Sequence, residues 1–321
     1  MGSLGLSERP FFMSKILKAH IALFSVNCLY GANHVIAKGV MPDYLTPSVF
    51  IFLRASGATL LFWIFKLIFI REKVERKDLF VMALCGLFGV AMNQLFFFHG
   101  LSLTSPVNTG IIMTINPILV VFLSFFFLKE AITLRRSIGI LIGASGAILL
   151  TLTAGTGAGD SALGDLFIFI NAASYGFYLV LVKPLMKKYR PLTVITYVFS
   201  FGFILVMLYP PTLMELSVTN FSRIPMNTVF VIVYVVVGVT FLAYLLTVFG
   251  LKHVSPSVSS AYIYLQPVLV MLFAVVLSAV GMAEDYTGTI TGEKIMYMLL
   301  IFIGVYITSS SSFTKKMKPL K

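Results

Sequence analysis

Several stretches of this 321-residue sequence set uncharged polar side chains at helical spacing inside otherwise apolar runs. Asn27, Tyr30 and His34 step by three and four residues, and Asn171, Tyr175 and Tyr178 by four and three. Each set therefore shares one helix face. Ser105, Thr109, Ile112 and Asn116 step by four, three and four, and Ser255, Ser259, Tyr262 and Gln266 do the same. Asn93 and Gln94 lie in a further apolar run, and Tyr244 in another. Amides and phenols donate and accept hydrogen bonds without carrying charge, and the many phenylalanines around them offer apolar contact. Such faces suit reversible binding of a small molecule with polar and apolar parts. Packing between helices is the alternative, above all for the serines and threonines. The expected substrate-binding set is Asn27, Tyr30, His34, Asn93, Asn116, Tyr175, Tyr178, Tyr262 and Gln266. Of these, Asn116, Tyr262 and Gln266 are expected to line one cavity. Enzyme chemistry is not expected: the sequence has no His-Glu-x-x-His, no P-loop and no Ser-His-Asp set that can be placed together. Cys28 and Cys85 sit in apolar runs without metal-ligand spacing, so neither a metal nor a cofactor is expected. His34 is the deep residue whose ordinary pKa, about 6.5, lies near physiological pH, which makes it the expected site of any proton coupling.

The elements that must position these residues are membrane-spanning helices. Hydrophobic residues make up 59% of the chain and charged residues only 11%, with a mean hydropathy of +0.98. A soluble fold of this size cannot bury that much apolar surface, so lipid must solvate it. Ten runs are long enough to cross: 17–37, 47–69, 78–99, 105–127, 134–153, 163–183, 192–210, 227–249, 255–280 and 293–312. The net charge of +12 does not point to nucleic acid, because the basic residues cluster in the gaps between apolar runs. With the N-terminus in the cytoplasm, 20 of the Lys and Arg residues fall inside, and only Lys38, Arg223 and Lys294 outside. This bias depends on ten spans and puts both termini on the cytoplasmic side of the inner membrane. Arg54 is the one strong charge well inside a span, about seven residues from its outer end, and reads first as an anchor snorkelling to the outer interface.

The chain also repeats itself. "GLSLTSPVNTGIIMTINPILV" (100–120) and "GLKHVSPSVSSAYIYLQPVLV" (250–270) share seven of 21 positions, including Ser-Pro and a second proline in register. "YGANHVIAK" (30–38) echoes "YGFYLVLVK" (175–183). These pairs fall in spans four and nine and in spans one and six, so the unit is five helices. An odd number sends the second copy through the membrane in the opposite direction, the layout of an inverted-repeat transporter. The expected fold is thus an all-α integral membrane protein, ten transmembrane helices in two inverted five-helix repeats. The expected divisions are an N-terminal extension (1–14), a first repeat (15–153), a linker (154–162), a second repeat (163–312) and a basic cytoplasmic tail (313–321). Pro117 and Pro267 are expected to kink continuous helices.

Tyr30-Gly31, Arg54, "TSPVNTGIIMTINPILVVFLSFFFLKE" (104–130) and "IGILIGASG" (138–146) carry a resemblance to the drug/metabolite transporter superfamily, in particular to its EamA-type exporters. The likeness spans about residues 15–312. In the second half, "VGMAEDYTGTITGEK" is longer than "LKEAITLRRS", and Glu284 stands where Glu130 does in the first. The resemblance implies a secondary transporter exporting small organic metabolites, amino-acid-like or amphiphilic, from a cavity between the halves. The expected partners are that substrate and membrane lipid. A membrane binding or assembly protein, or a metabolite or nucleotide-sugar exchanger, is the alternative. The oligomeric state is not legible in the sequence.

Overall fold

A computed structural model describes residues 9–36, 44–104, 109, 112–152, 161–279 and 291–314. Among these residues all regular structure is helical. The helices are α1 (Arg9–Ile36), α2 (Pro47–Phe69), α3 (Arg76–Leu103), α4 (Asn116–Leu128), α5 (Leu134–Leu152) and α6 (Ala162–Lys188). They continue with α7 (Pro191–Met207), the short α8 (Pro210–Val218), α9 (Met226–His253), α10 (Pro256–Ala261), α11 (Gln266–Ala279) and α12 (Gly292–Thr314). Local chemistry sets many of these boundaries. Proline opens α2, α7, α8 and α10, where its missing N–H leaves no bond unmade. The hydroxyls of Thr46, Ser161 and Ser255 each accept from a backbone N–H in the first turn of the helix they precede. Lys129, with φ 52°, closes α4 in a left-handed cap.

Five single helical runs, among them α2, α3, α6 and α9, are long and apolar enough to cross a membrane. The pair α7 and α8, bent by 73°, makes a sixth if counted as one span. Large apolar side chains such as Leu67, Phe69, Phe126 and Phe127 are exposed on the helix surfaces, where lipid would cover them. α1 begins at Arg9, within the stretch expected as an extension. The expected fourth span is interrupted: α4 starts at Asn116 after a turn at 114–115, so Pro117 occupies the second position of a new helix, where proline is tolerated best. The expected ninth span runs as one helical stretch from Pro256 to Leu277, with a 3₁₀ segment at Tyr262–Leu265 just before Pro267. Lys38, Ser105, Glu284 and the 154–160 part of the linker lie outside the described residues.

The two halves run in parallel along the sequence. α3 and α9 are both 28 residues long and begin 150 positions apart. Each contains a π-helical segment, at Leu87–Ala91 and at Val235–Leu242. Contacts also exchange the halves: α3 packs on α6 and α9 on α1; α4 packs on α6 and α11 on α1; α2 meets α7, and α5 meets α12.

The α5–α12 crossing depends on missing side chains. A Cβ at Gly304 would lie 2.6 Å from the Gly139 carbonyl oxygen and from the Gly143 Cα. Backbone cannot yield as a side-chain tip can, so the helices touch there only through glycine. Gly304→Val is expected to destabilise the protein by about 1–3 kcal/mol through overpacking, while Phe302→Val, on the 46%-exposed side of the same helix, changes little. Thermal unfolding in detergent compares the two, and equal melting temperatures would refute the contact.

Candidate functional site

The polar centre of the bundle is built around Arg54. Its Nε donates to Thr240 Oγ1 at 3.2 Å, and its guanidinium carbon lies 5.6 and 5.4 Å from the ring centroids of Phe50 and Phe98. Thr240 sits halfway along the 28 residues of α9. The arginine thus points into the bundle and does not snorkel outward, because α2 delivers it against the midpoint of a neighbouring helix. The π segment of α9 helps to hold it: the Thr240 hydroxyl donates five residues back, to the Val235 carbonyl at 2.8 Å, leaving its lone pairs for Arg54.

Tyrosines lie near this point. Tyr30 packs against the apolar cluster that contains Phe50 and Phe98, and Tyr244 stands one turn beyond Thr240 on α9. Ring centroids are 5.8 Å apart for Tyr175 and Tyr178 and 6.4 Å for Tyr178 and Tyr244. The Tyr244 hydroxyl donates to the Gly89 carbonyl at 3.0 Å, in the π segment of α3. Gly89 is required there, since a Cβ would fall 2.6 Å from Cγ of Tyr178. Gln94 lies beside Tyr244 and Tyr175 beside Thr247. Gln94 is 3% exposed, yet its amide has no hydrogen-bond partner but the neighbouring Tyr244, and the buried Tyr178 hydroxyl has none. Tyr30 and Tyr175 are only half-buried, so their rings border accessible space.

A second set of polar residues ties helices of one half to helices of the other. Asn116 Nδ2 donates to the Ala172 carbonyl at 2.5 Å, joining α4 to α6. Gln266 Nε2 donates to Asn27 Oδ1 at 3.3 Å, joining α11 to α1, and Asn27 in turn donates to the Leu23 carbonyl. Asn171 donates to the Asn93 carbonyl at 2.6 Å. The Tyr262 hydroxyl is 2.7 Å from His20 Nδ1. Of the nine residues expected to bind substrate, then, Tyr30 packs against the cluster that contains Phe50 and Phe98, and Tyr175 and Tyr178 lie beside Tyr244. Asn27 and Gln266 form a pair, Asn116 is sealed against α6, Tyr262 meets His20, and Asn93 offers its backbone to a neighbour. The His34 side chain lies outside the described residues. Asn116, Tyr262 and Gln266 make separate contacts and do not meet one another through any of these bonds. Arg54, Gln94, Tyr244 and Thr240 were absent from the expected set. One signal was available for two of them: Gln94 and Tyr244 stand 150 positions apart, the offset of the repeated segments.

The ends of the bundle are tied by charges. Asp78 accepts from Lys188 Nζ at 2.9 Å and from the Tyr189 hydroxyl at 2.7 Å. Burial raises the pKa of the Tyr189 phenol, which stays protonated and able to donate. Glu130 pairs with Arg136 at 3.2 Å and accepts from Ser257 at 3.4 Å, holding the α4–α5 hairpin against α10. Lys183 donates to the Leu251 and Val254 carbonyls at the end of α9. A groove of about 530 Å³ between α4, α5 and α6, lined by Ile118, Ile148 and Phe169 with Asp165 at one end, includes no residue of the tyrosine cluster. Among the described residues no group of His, Cys, Asp and Glu could hold a metal.

A multi-pass helical bundle with lipid-facing apolar surfaces and a buried polar centre has the make-up of a membrane transport protein. Comparison with known proteins makes the class specific. The EamA-like transporter family matches residues 17–152 and again 162–310, and the chain belongs to it. It is 29% identical over 296 residues to the uncharacterized transporter YyaM of Bacillus subtilis (strain 168), covering 88% of this chain and 95% of that one. An uncharacterized transporter of Archaeoglobus fulgidus is 26% identical over 265 residues, 82% of this chain and 89% of its own length. A WAT1-related protein of Arabidopsis thaliana is 22% identical over 323 residues, 89% and 82% of the two chains. A crystal structure of a protein at 18% identity superposes with a TM-score of 0.70 over 92% of this chain and 98% of that one, a likeness of fold. The protein is a membrane transporter of the drug/metabolite superfamily, with a small-molecule substrate and a lipid environment.

The Asn27–Gln266 bond yields a direct test. Alanine at each position and at both should give a thermodynamic coupling of about 0.6 kcal/mol, the average for interhelical polar pairs in membranes. Coupling indistinguishable from zero in the double-mutant cycle would show that the pair does not join α1 to α11.

Proposed function

We propose that the chain is a ten-span secondary transporter that exports small organic metabolites by alternating access. Its two five-helix repeats would be inserted in opposite orientations, with both termini in the cytoplasm at the inner membrane. One observation carries most of this reading. Asn116 bonds to residue 172, and Gln266 bonds to residue 27. Gln266 is Asn116 shifted by 150, and Ala172 is Asn27 shifted by 145, the same offsets that relate the repeated segments of these helices. A contact between halves is thus met twice, with the roles of the halves exchanged, as a two-fold axis in the membrane plane would require. The equal lengths of α3 and α9, their matching π segments and the exchanged helix pairings support the same axis.

In this reading the path runs through the tyrosine-lined centre, where Tyr30, Tyr175 and Tyr178 contact substrate. Asn27, Asn116 and Gln266 hold paired joints between halves that open and close around it, with Asn93 and Tyr262 at its margins. His34 is the proposed proton-coupling group. Counterflow into proteoliposomes tests the whole reading. A panel of labelled amino acids, aromatic acids and amines should include members that exchange with saturable kinetics. An imposed pH gradient should drive their accumulation in the wild type but not in His34→Gln, which keeps counterflow. Absence of saturable exchange across the panel would reduce the protein to a membrane binding or assembly role.

A further inference from the structure

Arg54 is a buried cation with no ion-pair partner among the described residues. It is 7% exposed, and among the described residues no carboxylate lies within ion-pair distance of it. The carboxylates near helix ends are engaged elsewhere: Asp78 with Lys188, Glu130 with Arg136, Asp165 with Thr104 and Glu215 with Thr46. Phe50 and Phe98 hold the guanidinium by their ring faces, which stabilises the cation without neutralising it. A guanidinium carries five N–H donors, and one, on Nε, is used by Thr240. An arginine serving only to fasten α2 to α9 would turn its terminal nitrogens onto backbone carbonyls. Here, among the described residues, those nitrogens make no hydrogen bond with protein.

Two buried side chains lie near that centre. The Tyr178 hydroxyl has no hydrogen-bond partner, and the Gln94 amide has none but the neighbouring Tyr244. Gln94 stands one turn before Phe98 on α3 and Tyr244 one turn beyond Thr240 on α9, the residues that hold Arg54, and the ring of Tyr178 lies 6.4 Å from that of Tyr244. An unpartnered buried hydroxyl near a cation with no carboxylate among the described residues leaves donors for an occupant. We propose that Arg54 recognises the single negative charge of a small organic acid, whose aromatic body lies against the tyrosine rings. This rests on the transporter reading and deepens it. One buried positive charge fits a monoanion. The planar guanidinium can present its terminal N–H groups to a carboxylate in a fork, and the Gln94 amide N–H adds a donor nearby. The same field disfavours organic cations.

Ligands of one shape and three charges test the proposal: 3-phenylpropionate, its amide and 3-phenylpropylamine, with benzoate and phenylacetate as shorter acids. Binding to the purified protein is measured by calorimetry and flux by counterflow. At least one acid is expected to bind about tenfold or more tighter than the amide and the amine. Arg54→Gln should erase that preference. Arg54→Lys should keep the preference for acid over amine while weakening acid binding, since it retains charge but loses the fork; this variant decides the matter should Arg54→Gln not fold. Equal binding of the three charge types, a preference that survives Arg54→Gln, or no binding of any acid would overturn the anion site. Saturable flux of the amine or amide without acid preference would remove the anion site and leave transport standing. Arg54-dependent acid binding without flux would remove transport and leave the anion site standing.

Discussion

A guanidinium held at the middle of a buried helix dictates what must surround it. Lipid offers it neither hydrogen bonds nor counter-charge, so protein has to supply rings, hydroxyls and dipoles on every side. Around Arg54 these come from α2, α3 and α9, that is, from both halves of the chain, with Tyr30 of α1 packed against the same apolar cluster. Convergence of so many helices on one point in turn demands close approach. Gly89 meets that demand in α3 by leaving room for the ring of Tyr178, and glycines meet it again at the α5–α12 crossing. The π segments of α3 and α9 serve the same centre, since a widened turn presents the Gly89 carbonyl to Tyr244 and the Thr240 hydroxyl to Arg54.

The same demand connects the centre to movement. A binding position shared by two halves can be uncovered on one side or the other only if the halves are joined by contacts that break and re-form at modest cost. Single hydrogen bonds between amides fit this need better than wide apolar seams, and the Asn116–Ala172 and Asn27–Gln266 contacts are of that kind. Asn116 lies at a helix start after the turn that interrupts the fourth span, and Gln266 follows the 3₁₀ segment inside the ninth; a proline stands next to each.

Much of the fold was legible in the sequence because its signals are periodic and long-ranged. Apolar runs of about 20 residues announce helices in lipid, and the repeated Ser-Pro and Tyr-Gly segments disclose the relation between halves. Helical spacing shows which residues share a face, as for Tyr30 on α1 and for Tyr175 and Tyr178 on α6. Spacing does not show which neighbour that face meets: Asn116 bonds to α6 and Gln266 to α1. Arg54 was misread because its distance from the start of α2 suggested the outer interface, while the depth that matters is set by α9. The π segments leave no sequence signature, so the roles of Thr240 and Gly89 could not be foreseen.

Opposite insertion of the two repeats is the claim on which the shared centre and the paired joints both rest. Cysteines placed singly at Thr156 and Lys321, with Cys28 and Cys85 replaced by serine, measure it directly when probed with a membrane-impermeant maleimide in intact cells. Thr156→Cys should label from outside, and Lys321→Cys only after permeabilisation. Labelling of both positions from the same side would contradict the inverted repeat and, with it, the two-fold relation between the Asn116 and Gln266 contacts.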